Sequence, residues 1–244
     1  MTGPVLILGA RSDIARATAR AFAAAGHPIQ MAARNAETLA ADQADLQTRF
    51  GIDVTLHEFD ALDTDGHDTF VDALPALPQI AVCAIGVMGD QTENEDDVGA
   101  ARTVLRSNFE GPALMLGVLA NRFATRGSGT IVGISSVAGD RGRASNYVYG
   151  AAKAGFTAFL SGLRNRLAGQ GVHVVTVLPG FVNTAMTAGM DTPGALTAEP
   201  AEVGEAIVKA VKKSRNVIYV RRIWWLVMAI IRAIPEAIFK KTSI

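Results

Sequence analysis

Hydrophobic residues in this 244-residue chain recur in short runs that are separated by longer amphipathic stretches. The runs have the length of strands and are rich in Val and Ile, which favours buried β-structure. They predict strands over residues 5–8, 29–32, 54–59, 80–84, 130–134, 172–178 and 217–220. Helical patterns follow each of the first six runs, for example over residues 14–25, 38–50, 97–126 and 151–168.

This alternation predicts a parallel sheet, because strands that are covered by helices on both faces are apolar throughout. Right-handed crossovers would complete a doubly wound arrangement. The expected fold class is α/β: a single-domain Rossmann fold with a seven-stranded parallel sheet flanked by helices. Residues 1–222 are assigned to this Rossmann-type body, and residues 223–244 to a C-terminal amphipathic helical tail of the same domain.

Ligands of doubly wound sheets bind beside the carboxyl ends of the strands. The first strand ends at Gly9, in a turn that opens a helix whose free amides favour a pyrophosphate. Asp13 occupies the middle position of the usual glycine fingerprint, so a plain strand-to-helix turn is the alternative. Asp13 is a good N-cap, and we expect it to turn towards the helix amides, leaving Arg11 and Ser12 to face the phosphates.

The next strand ends offer further cofactor contacts. Arg34 stands where NAD-preferring sites place an acid, and with Arg11 it could bind a 2′-phosphate. NADP(H) is therefore favoured, and NAD(H) stays possible. Asp60 follows the third strand and either binds the adenine amino group or caps the next element. Gly86 would let the backbone approach the cofactor closely.

Tyr149 and Lys153 are candidate catalytic residues, with Ser136 thirteen residues upstream of the tyrosine. Four residues are about one helical turn, so the phenol and the ammonium project from the same face. A nearby cation lowers the pKa of a phenol, as a proton donor to a carbonyl oxygen needs near neutrality. Ser136 follows a predicted strand and could hold the same oxygen. The alternative is an exposed helical pair.

Composition excludes several kinds of site. Cys83 is the only cysteine, so neither a disulfide nor a cysteine metal site is available. The four histidines show no ligand spacing, and we expect no metal. The chain opens on a strand without a basic signal region, which favours a cytoplasmic location. No nucleic-acid partner is expected.

The C-terminal tail is basic although the net charge of the chain is zero: residues 205–244 hold nine Lys or Arg against two Asp or Glu. Its apolar segment, residues 223–231, is too short to span a membrane. Paired tryptophans and flanking cations suit a lipid headgroup boundary. The alternatives are packing over the active site or an oligomer interface. The flanking cations are Arg221, Arg222, Arg232, Lys240 and Lys241.

These residues resemble the short-chain dehydrogenase/reductase family over nearly the whole chain. Ser136, Tyr149 and Lys153 match its catalytic set, and Asn108 resembles the asparagine that holds a proton-relay water. Residues 83–86 keep only the last glycine of the family's Asn-Asn-Ala-Gly segment. Residues 179–184 resemble the segment that folds over the nicotinamide. The cofactor contacts expected in full are Gly9, Arg11, Ser12, Asp13, Ile14, Arg34, Asp60, Ala61, Ala84, Gly86, Tyr149, Lys153, Pro179, Gly180, Val182 and Thr184.

The resemblance implies an NAD(P)H-dependent reduction of a ketone, with Tyr149 as proton donor. Lys153 would lower the pKa of Tyr149 and bind the nicotinamide ribose, Ser136 would orient the carbonyl, and Asn108 would connect Lys153 to solvent. It also implies a homodimer or homotetramer assembled through the helices within residues 97–126 and 151–168.

Substrate identity is less determined. Residues 59–65, 146–150 and 231–240 resemble those of family reductases that act on a polyprenyl-phosphate-linked keto sugar. Such a substrate would hold the enzyme at the inner face of the membrane through residues 223–244. Arg141 and Arg143 would then contact its phosphate or belong to a solvated loop, and these relatives imply NADH instead.

Other readings stay open. A soluble small-molecule ketone or alcohol is the alternative substrate, and a catalytically silent dinucleotide-binding sensor is a further possibility. Residues 187–200 form a Gly/Thr/Pro-rich loop that we expect to close over the substrate.

Overall fold

The computed structural model describes residues 3–242. The first two residues of the predicted body and the last two of the predicted tail lie outside the described residues. Strands are found within one residue of each predicted boundary, together with a short additional pair. They are β1 (Val5–Leu8), β2 (Ile29–Ala33), β3 (Val54–Glu58), β4 (Ile80–Cys83), β5 (Gly129–Ile134), β6 (Val172–Pro179), β7 (Phe181–Val182), β8 (Thr197–Ala198) and β9 (Val217–Val220).

Seven of these strands form one parallel sheet in the order β3-β2-β1-β4-β5-β6-β9. β1 pairs with β2 on one side and with β4 on the other, so the strand order reverses at β1. The predicted single-domain α/β fold with a seven-stranded parallel sheet is confirmed. The carboxyl ends of β1 and β4 meet at the switch point, where such sheets bind ligands.

Helices cover both faces of the sheet. They are α1 (Asp13–Ala24), α2 (Ala40–Phe50), α3 (His67–Asp72), α4 (Gln91–Asp96), α5 (Val98–Leu105), α6 (Gly111–Arg126), α7 (Tyr147–Leu167), α8 (Pro200–Lys212), α9 (Ile223–Ala233) and α10 (Glu236–Phe239). In β1, Val5 and Ile7 pack with Phe22 of α1 on one face. Leu6 and Leu8 pack with Phe156 of α7 on the other. Burial on both faces explains why the strands read as continuous apolar runs.

The long helix predicted over residues 97–126 is interrupted. A π-helical turn, Arg106–Glu110, separates α5 from α6, and Asn108 is fully buried within it. Single π turns inside helices often accompany functional sites. The interruption turns a polar side chain into the protein, where the apolar periodicity alone predicts a continuous helix.

The tail forms α9 and α10 and packs against the body. Trp224 and Met228 of α9 are buried against Val137 and Leu178. α9 is therefore amphipathic: one face packs in this small hydrophobic cluster, and the other faces solvent. No helix within residues 3–242 is long and apolar enough to cross a membrane.

Candidate active site

Tyr149 and Lys153 lie on the first two turns of α7. This helix begins at Tyr147, four residues before the predicted start, so both side chains are helical. Lys153 is 3% exposed, and its Nζ lies 5.7 Å from the centroid of the Tyr149 ring. The one-turn spacing places the phenol and the ammonium in one small site.

Ser136 lies at the same sheet edge. β5 ends at Ile134, and Ser136 begins the 3-10 turn Val137–Gly139. Its Oγ accepts the N–H of Ala138 at 3.1 Å, which fixes the side chain. The hydroxyl of Ser136 lines the same cavity as the phenol of Tyr149 and acts to lower its pKa. The two hydroxyl groups thus converge on one point, as a pair holding a single oxygen atom requires.

Burial governs the protonation of the pair. It raises the pKa of Tyr149 to about 12 and lowers the pKa of Lys153 to about 8, because each charged form loses hydration. The expected lowering of the Tyr149 pKa by Lys153 is not found, and the shift runs in the other direction. Tyr149 is therefore a protonated phenol at neutral pH, whereas the pKa of Lys153 lies about one unit above neutrality.

Asn108 reaches Lys153 from the π-helical turn. Its Nδ2 donates to the carbonyls of Val87 at 2.6 Å and Val104 at 2.8 Å. Its buried Oδ1 has no partner among the described residues. A Cβ at Gly86 would lie 2.8 Å from this Oδ1 and 3.2 Å from Lys153 Nζ, so both atoms face the space beside Gly86. An acceptor and an ammonium across one small space have the geometry that a relayed proton requires.

The turn after β1 has no room for a side chain at position 9. Gly9 has a φ of +79°, and a Cβ there would lie 3.0 Å from the carbonyl oxygen of Ala84. Ser12 caps α1, with its Oγ accepting the N–H of Ala15 at 3.1 Å. The exposed backbone at Gly9 and the N-terminus of α1 together fit the diphosphate of a dinucleotide.

Asp13 does not take the predicted role. The N-cap is Ser12, and Asp13 is the first helical residue. Its Oδ2 accepts the N–H of Ala185 at 2.9 Å, in the 3-10 turn Ala185–Thr187. The carboxylate is thereby directed to the segment that follows β7. It links the turn after β1 to the loop beyond the end of the sheet.

Arg11 and Arg34 lie side by side at the ends of β1 and β2. Arg11 Nη1 donates to the carbonyl of Arg34 at 3.3 Å, and both residues are exposed. They line a cleft of about 450 Å³ with Asp60 and Ala61. Asp60 Oδ1 accepts the N–H of Leu62 at 3.0 Å and closes a local turn, while Asp63 and not Asp60 is the N-cap of the next element, the 3-10 turn Thr64–Gly66. Two arginines that line one cleft suit a phosphate better than a neutral hydroxyl.

A second cavity of about 370 Å³ continues from this cleft across the ends of β4, β5 and β6. Arg11, Ser12, Ala84 and Gly86 line both spaces, so the two are continuous. Gly9 and Arg34 line the cleft but not the second cavity. Asn108 is fully buried and is not among the lining residues of either space. The other predicted residues at the second cavity are Asp13, Ile14, Ser136, Tyr149, Lys153, Pro179, Gly180, Val182 and Thr184.

Trp224 forms part of the wall of this cavity, as the alternative in which the tail packs over the active site predicts. The indole is 5% exposed, and its Nε1 donates to the carbonyl of Leu196 at 2.9 Å. Trp225 beside it is 57% exposed, so only one of the paired tryptophans faces solvent. A signal was available in Gly180, which must lack a side chain where an aromatic ring packs on its backbone.

The loop predicted to close over the substrate carries Met190, and the 3-10 turn before it carries Met186; both line the cavity. Arg221 anchors this loop, donating to the carbonyl oxygens of Gly194 at 2.7 Å and Ala195 at 3.0 Å. It also pairs with Glu202 at 2.9 Å. Arg221 is therefore a structural residue and not one of the free cations expected around the tail.

Arg141 and Arg143 differ although they share a loop. Arg141 Nη1 donates to the carbonyl of Ile234 at 2.6 Å, and Nη2 pairs with Glu236 at 3.0 Å. Its guanidinium carbon lies 3.6 Å from the centroid of the Phe239 ring. Arg141 thus fastens the tail to the body. Its guanidinium is occupied by these contacts, so the expectation that Arg141 binds a substrate phosphate is wrong. Arg143 instead lines the cavity with Tyr149.

Cys83 is buried in β4, and burial raises its thiol pKa to about 11. Such a thiol is a poor nucleophile and a poor metal ligand. Within the described part of the chain, no three His, Cys, Asp or Glu side chains gather where they could hold a metal ion.

Comparisons with known proteins identify the family of the chain. A family model described as short chain dehydrogenase matches residues 4–193. An uncharacterized oxidoreductase of Mycobacterium tuberculosis (strain ATCC 25618 / H37Rv) is 38% identical over 241 residues, covering 98% of this chain and 96% of that protein. A sulfoacetaldehyde reductase of Chromohalobacter salexigens is 33% identical over 192 residues, covering 77% of this chain and 75% of the relative.

A solved structure gives the same result. The short-chain dehydrogenase from Sphingobium yanoikuyae in complex with NADPH superposes with a TM-score of 0.81 at 25% identity, covering 96% of this chain and 97% of that one. The chain therefore belongs to the short chain dehydrogenase family and is an NAD(P)-dependent oxidoreductase.

Proposed function

We propose that the protein reduces a ketone to a secondary alcohol, with Tyr149 as the proton donor. The observation that carries this proposal is the convergence of Ser136 and Tyr149 in a cavity that continues into the glycine-lined cleft. A nicotinamide cofactor would supply the hydride. A carbonyl oxygen held by the two hydroxyl groups would receive its proton from the phenol.

Each polar group at the site has a role in this reaction. Ser136 donates a hydrogen bond to the carbonyl oxygen and orients it, while Tyr149 passes its proton to the same oxygen. The ammonium of Lys153 stabilises negative charge that develops on the phenol and binds ribose hydroxyl groups of the cofactor. Asn108 faces Lys153 across the space beside Gly86 and supports the return of a proton to the site.

NADP(H) is the cofactor that the cleft favours. Arg11 and Arg34 both line the cleft, and two cationic side chains there suit a 2′-phosphate. The neighbouring structure from Sphingobium yanoikuyae holds NADPH. NAD(H) is the second candidate, since the narrower family resemblance implies NADH.

The substrate that we favour is a lipid-linked keto sugar, as for a decaprenylphosphoryl-2-keto-erythro-pentose reductase. Met186, Met190 and Trp224 give the cavity an apolar side suited to such an amphiphilic molecule. A soluble carbonyl compound is the second candidate, and the relative named sulfoacetaldehyde reductase supports carbonyl reduction more generally.

We further propose that the tail rests on an anionic membrane surface at the cytoplasmic side. Ile223, Trp225, Leu226 and Ile230 are each about half exposed or more, on the side of α9 opposite the buried Trp224. Exposed cations accompany this face, namely Arg222, Arg232, Lys240 and Lys241. Apolar side chains rimmed by cations are the features of helices that lie in a lipid interface.

A homodimer or homotetramer is proposed through the face formed by α5, the π-helical turn and α6. Val98, Leu105, Phe109 and Leu114 are exposed there, with Val98 at 73%. Clusters of exposed apolar residues on a folded domain favour contact with a second copy.

Tyr149→Phe tests the reaction, with Tyr147→Phe as the matched control because Tyr147 is exposed two residues away. The first variant should bind NADPH normally and lose at least about a hundredfold in kcat. The second should retain activity. A screen of NADPH and NADH oxidation against keto sugars, with and without a polyprenyl phosphate, identifies the substrate. Normal cofactor binding without turnover of any carbonyl would favour the silent sensor.

A further inference from the structure

Arg143 is a cation in the substrate part of the cavity that the proposed chemistry does not use. It lies between Ser136 and Tyr149 in sequence and lines the same cavity as both. Its Nε is buried, and no hydrogen-bond or ion-pair partner is found for this side chain among residues 3–242. Burial lowers the pKa of its guanidinium, and no acid acts in the opposite direction.

The other arginines that border this cavity are engaged. Arg11 donates to the carbonyl of Arg34, and Arg16 pairs with Asp42 at 3.2 Å. Arg143 is half-buried, and a guanidinium whose Nε is shielded from water without a partner is unfavourable unless a ligand binds it. Arg143 therefore stands out as the unused donor group in this space.

Asn146 is a second unpartnered group at the same place. It lines the cavity three residues after Arg143, and its buried Oδ1 has no partner among the described residues. The N–H of Asn146 donates to the carbonyl of Arg143 at 3.1 Å, so one turn holds both side chains. Two unsatisfied polar groups that line one cavity indicate a place for a polar part of a ligand.

We propose that Arg143 binds an anionic group of the substrate, so that the preferred ketone carries a phosphate, sulfonate or carboxylate near its carbonyl. Apolar side chains that line the same cavity, including Trp224 and Met190, make its surroundings less polar and strengthen a charge-assisted hydrogen bond. This inference rests on the proposed reduction and names the class of ketone that the site selects. Arg143 is then a specificity-determining residue, while proton delivery stays with Tyr149.

Paired substrates separate charge recognition from catalysis. We would compare 5-oxohexyl phosphate with its neutral alcohol, and 4-oxopentanoate with its methyl ester, at saturating NADPH and constant ionic strength. The ratio of kcat/KM for the anionic over the neutral member should fall at least about tenfold in Arg143→Gln, mainly through KM. Arg143→Lys should recover part of the preference, because it keeps the charge but loses the planar fork.

Arg166→Gln is the matched control, because Arg166 is an exposed arginine near the far end of α7. It should leave both members of each pair unchanged. An unchanged ratio in Arg143→Gln, or an equal loss for both members in a variant with wild-type thermal stability, would overturn the inference.

A binding measurement keeps this inference separate from the proposed reaction. If the wild-type protein reduces none of these ketones, the proposed reduction fails for this substrate class. Calorimetric titration of hexyl phosphate into the NADPH-loaded protein then decides the role of Arg143 by itself. At least about tenfold weaker binding by Arg143→Gln supports the anion subsite. Equal binding by the two proteins refutes it.

Discussion

Trp224 lies directly against the backbone of Gly180. A Cβ at position 180 would fall 1.9 Å from Trp224 Cε2 and 2.0 Å from its Nε1. Gly180 follows β6 at the edge of the sheet where the candidate active site lies, and Trp224 belongs to the tail. The first turn of α9 is therefore built into the wall of the cavity, and the tail and the site form one structure.

Gly180→Ala should displace the indole and loosen α9. The added methyl group meets an aromatic ring held between Leu196 and the sheet, and we expect a loss of about 1–3 kcal/mol in the free energy of unfolding. Denaturant unfolding measures this loss. In a Trp225→Phe background, the emission of Trp224 should shift to the red as the indole becomes wetter.

Gly162→Ala provides the matched control for this substitution. Gly162 lies inside α7, and a Cβ there would meet nothing within 4 Å. Removal of a helical glycine at an open position should stabilise the protein by about 0.5–1 kcal/mol. If Gly180→Ala were as stable as the wild type, with unchanged emission, the close packing of Trp224 on Gly180 would be wrong.

The pH dependence of reduction should follow Lys153. Its pKa is lowered to about 8, so the ammonium is present below that pH and is lost as the pH rises through it. Tyr149, with a pKa raised to about 12, keeps its proton over the same range. We expect kcat/KM to decrease above about pH 8, approaching tenfold per pH unit. Profiles of kcat/KM from pH 6 to 10 at constant ionic strength measure this decrease. A flat profile would contradict the proposal that the Lys153 ammonium assists proton transfer from Tyr149.

Arg34→Ala should discriminate between the two cofactors. A guanidinium that binds the 2′-phosphate contributes a charge-assisted hydrogen bond worth about 1.5–3 kcal/mol, or at least tenfold in affinity. The dissociation constant for NADPH should rise by that factor, while that for NADH should hardly change. Fluorescence titration of both cofactors measures the pair. Equal weakening of NADPH and NADH would show that Arg34 acts on the shared part of the dinucleotide or on the fold.

The sheet could be predicted from the sequence because its strands are buried on both faces. β1, β4 and β6 are almost wholly apolar, and that pattern leaves few alternatives to a covered parallel sheet. The placement of Tyr149 and Lys153 on one face of a helix could also be predicted from their spacing, because a helical turn fixes the relative direction of the two side chains. Local signals of this kind survive folding whenever tertiary contacts do not compete with them.

What the sequence did not predict depends on contacts between distant segments. The π-helical turn exists because Asn108 bonds inward to Val104 and Val87, which an apolar helical pattern does not encode. Asp13 looked like a helix cap, but the N–H of Ala185 competes for its carboxylate. The sequence also allowed Trp224 to be a headgroup anchor, but its packing against Gly180 makes it part of the cavity wall. Each is a side chain whose partner lies far away in sequence.

The exposed face of α9 should govern binding to anionic membranes. Trp225, Leu226 and Ile230 are 53–59% exposed, and burying such side chains in an interface is favourable by about 25 cal/mol per Å² of apolar area. Replacing the three with Gln should lower partitioning onto phosphatidylglycerol vesicles at least about tenfold, measured by sedimentation, without changing thermal stability. Val217→Gln, at the start of β9, removes exposed apolar surface outside both α9 and the proposed subunit interface, and it should leave partitioning unchanged. Equal partitioning of all three proteins would show that α9 is not a membrane contact. Equal binding to zwitterionic phosphatidylcholine vesicles would show that the contact does not depend on anionic lipid.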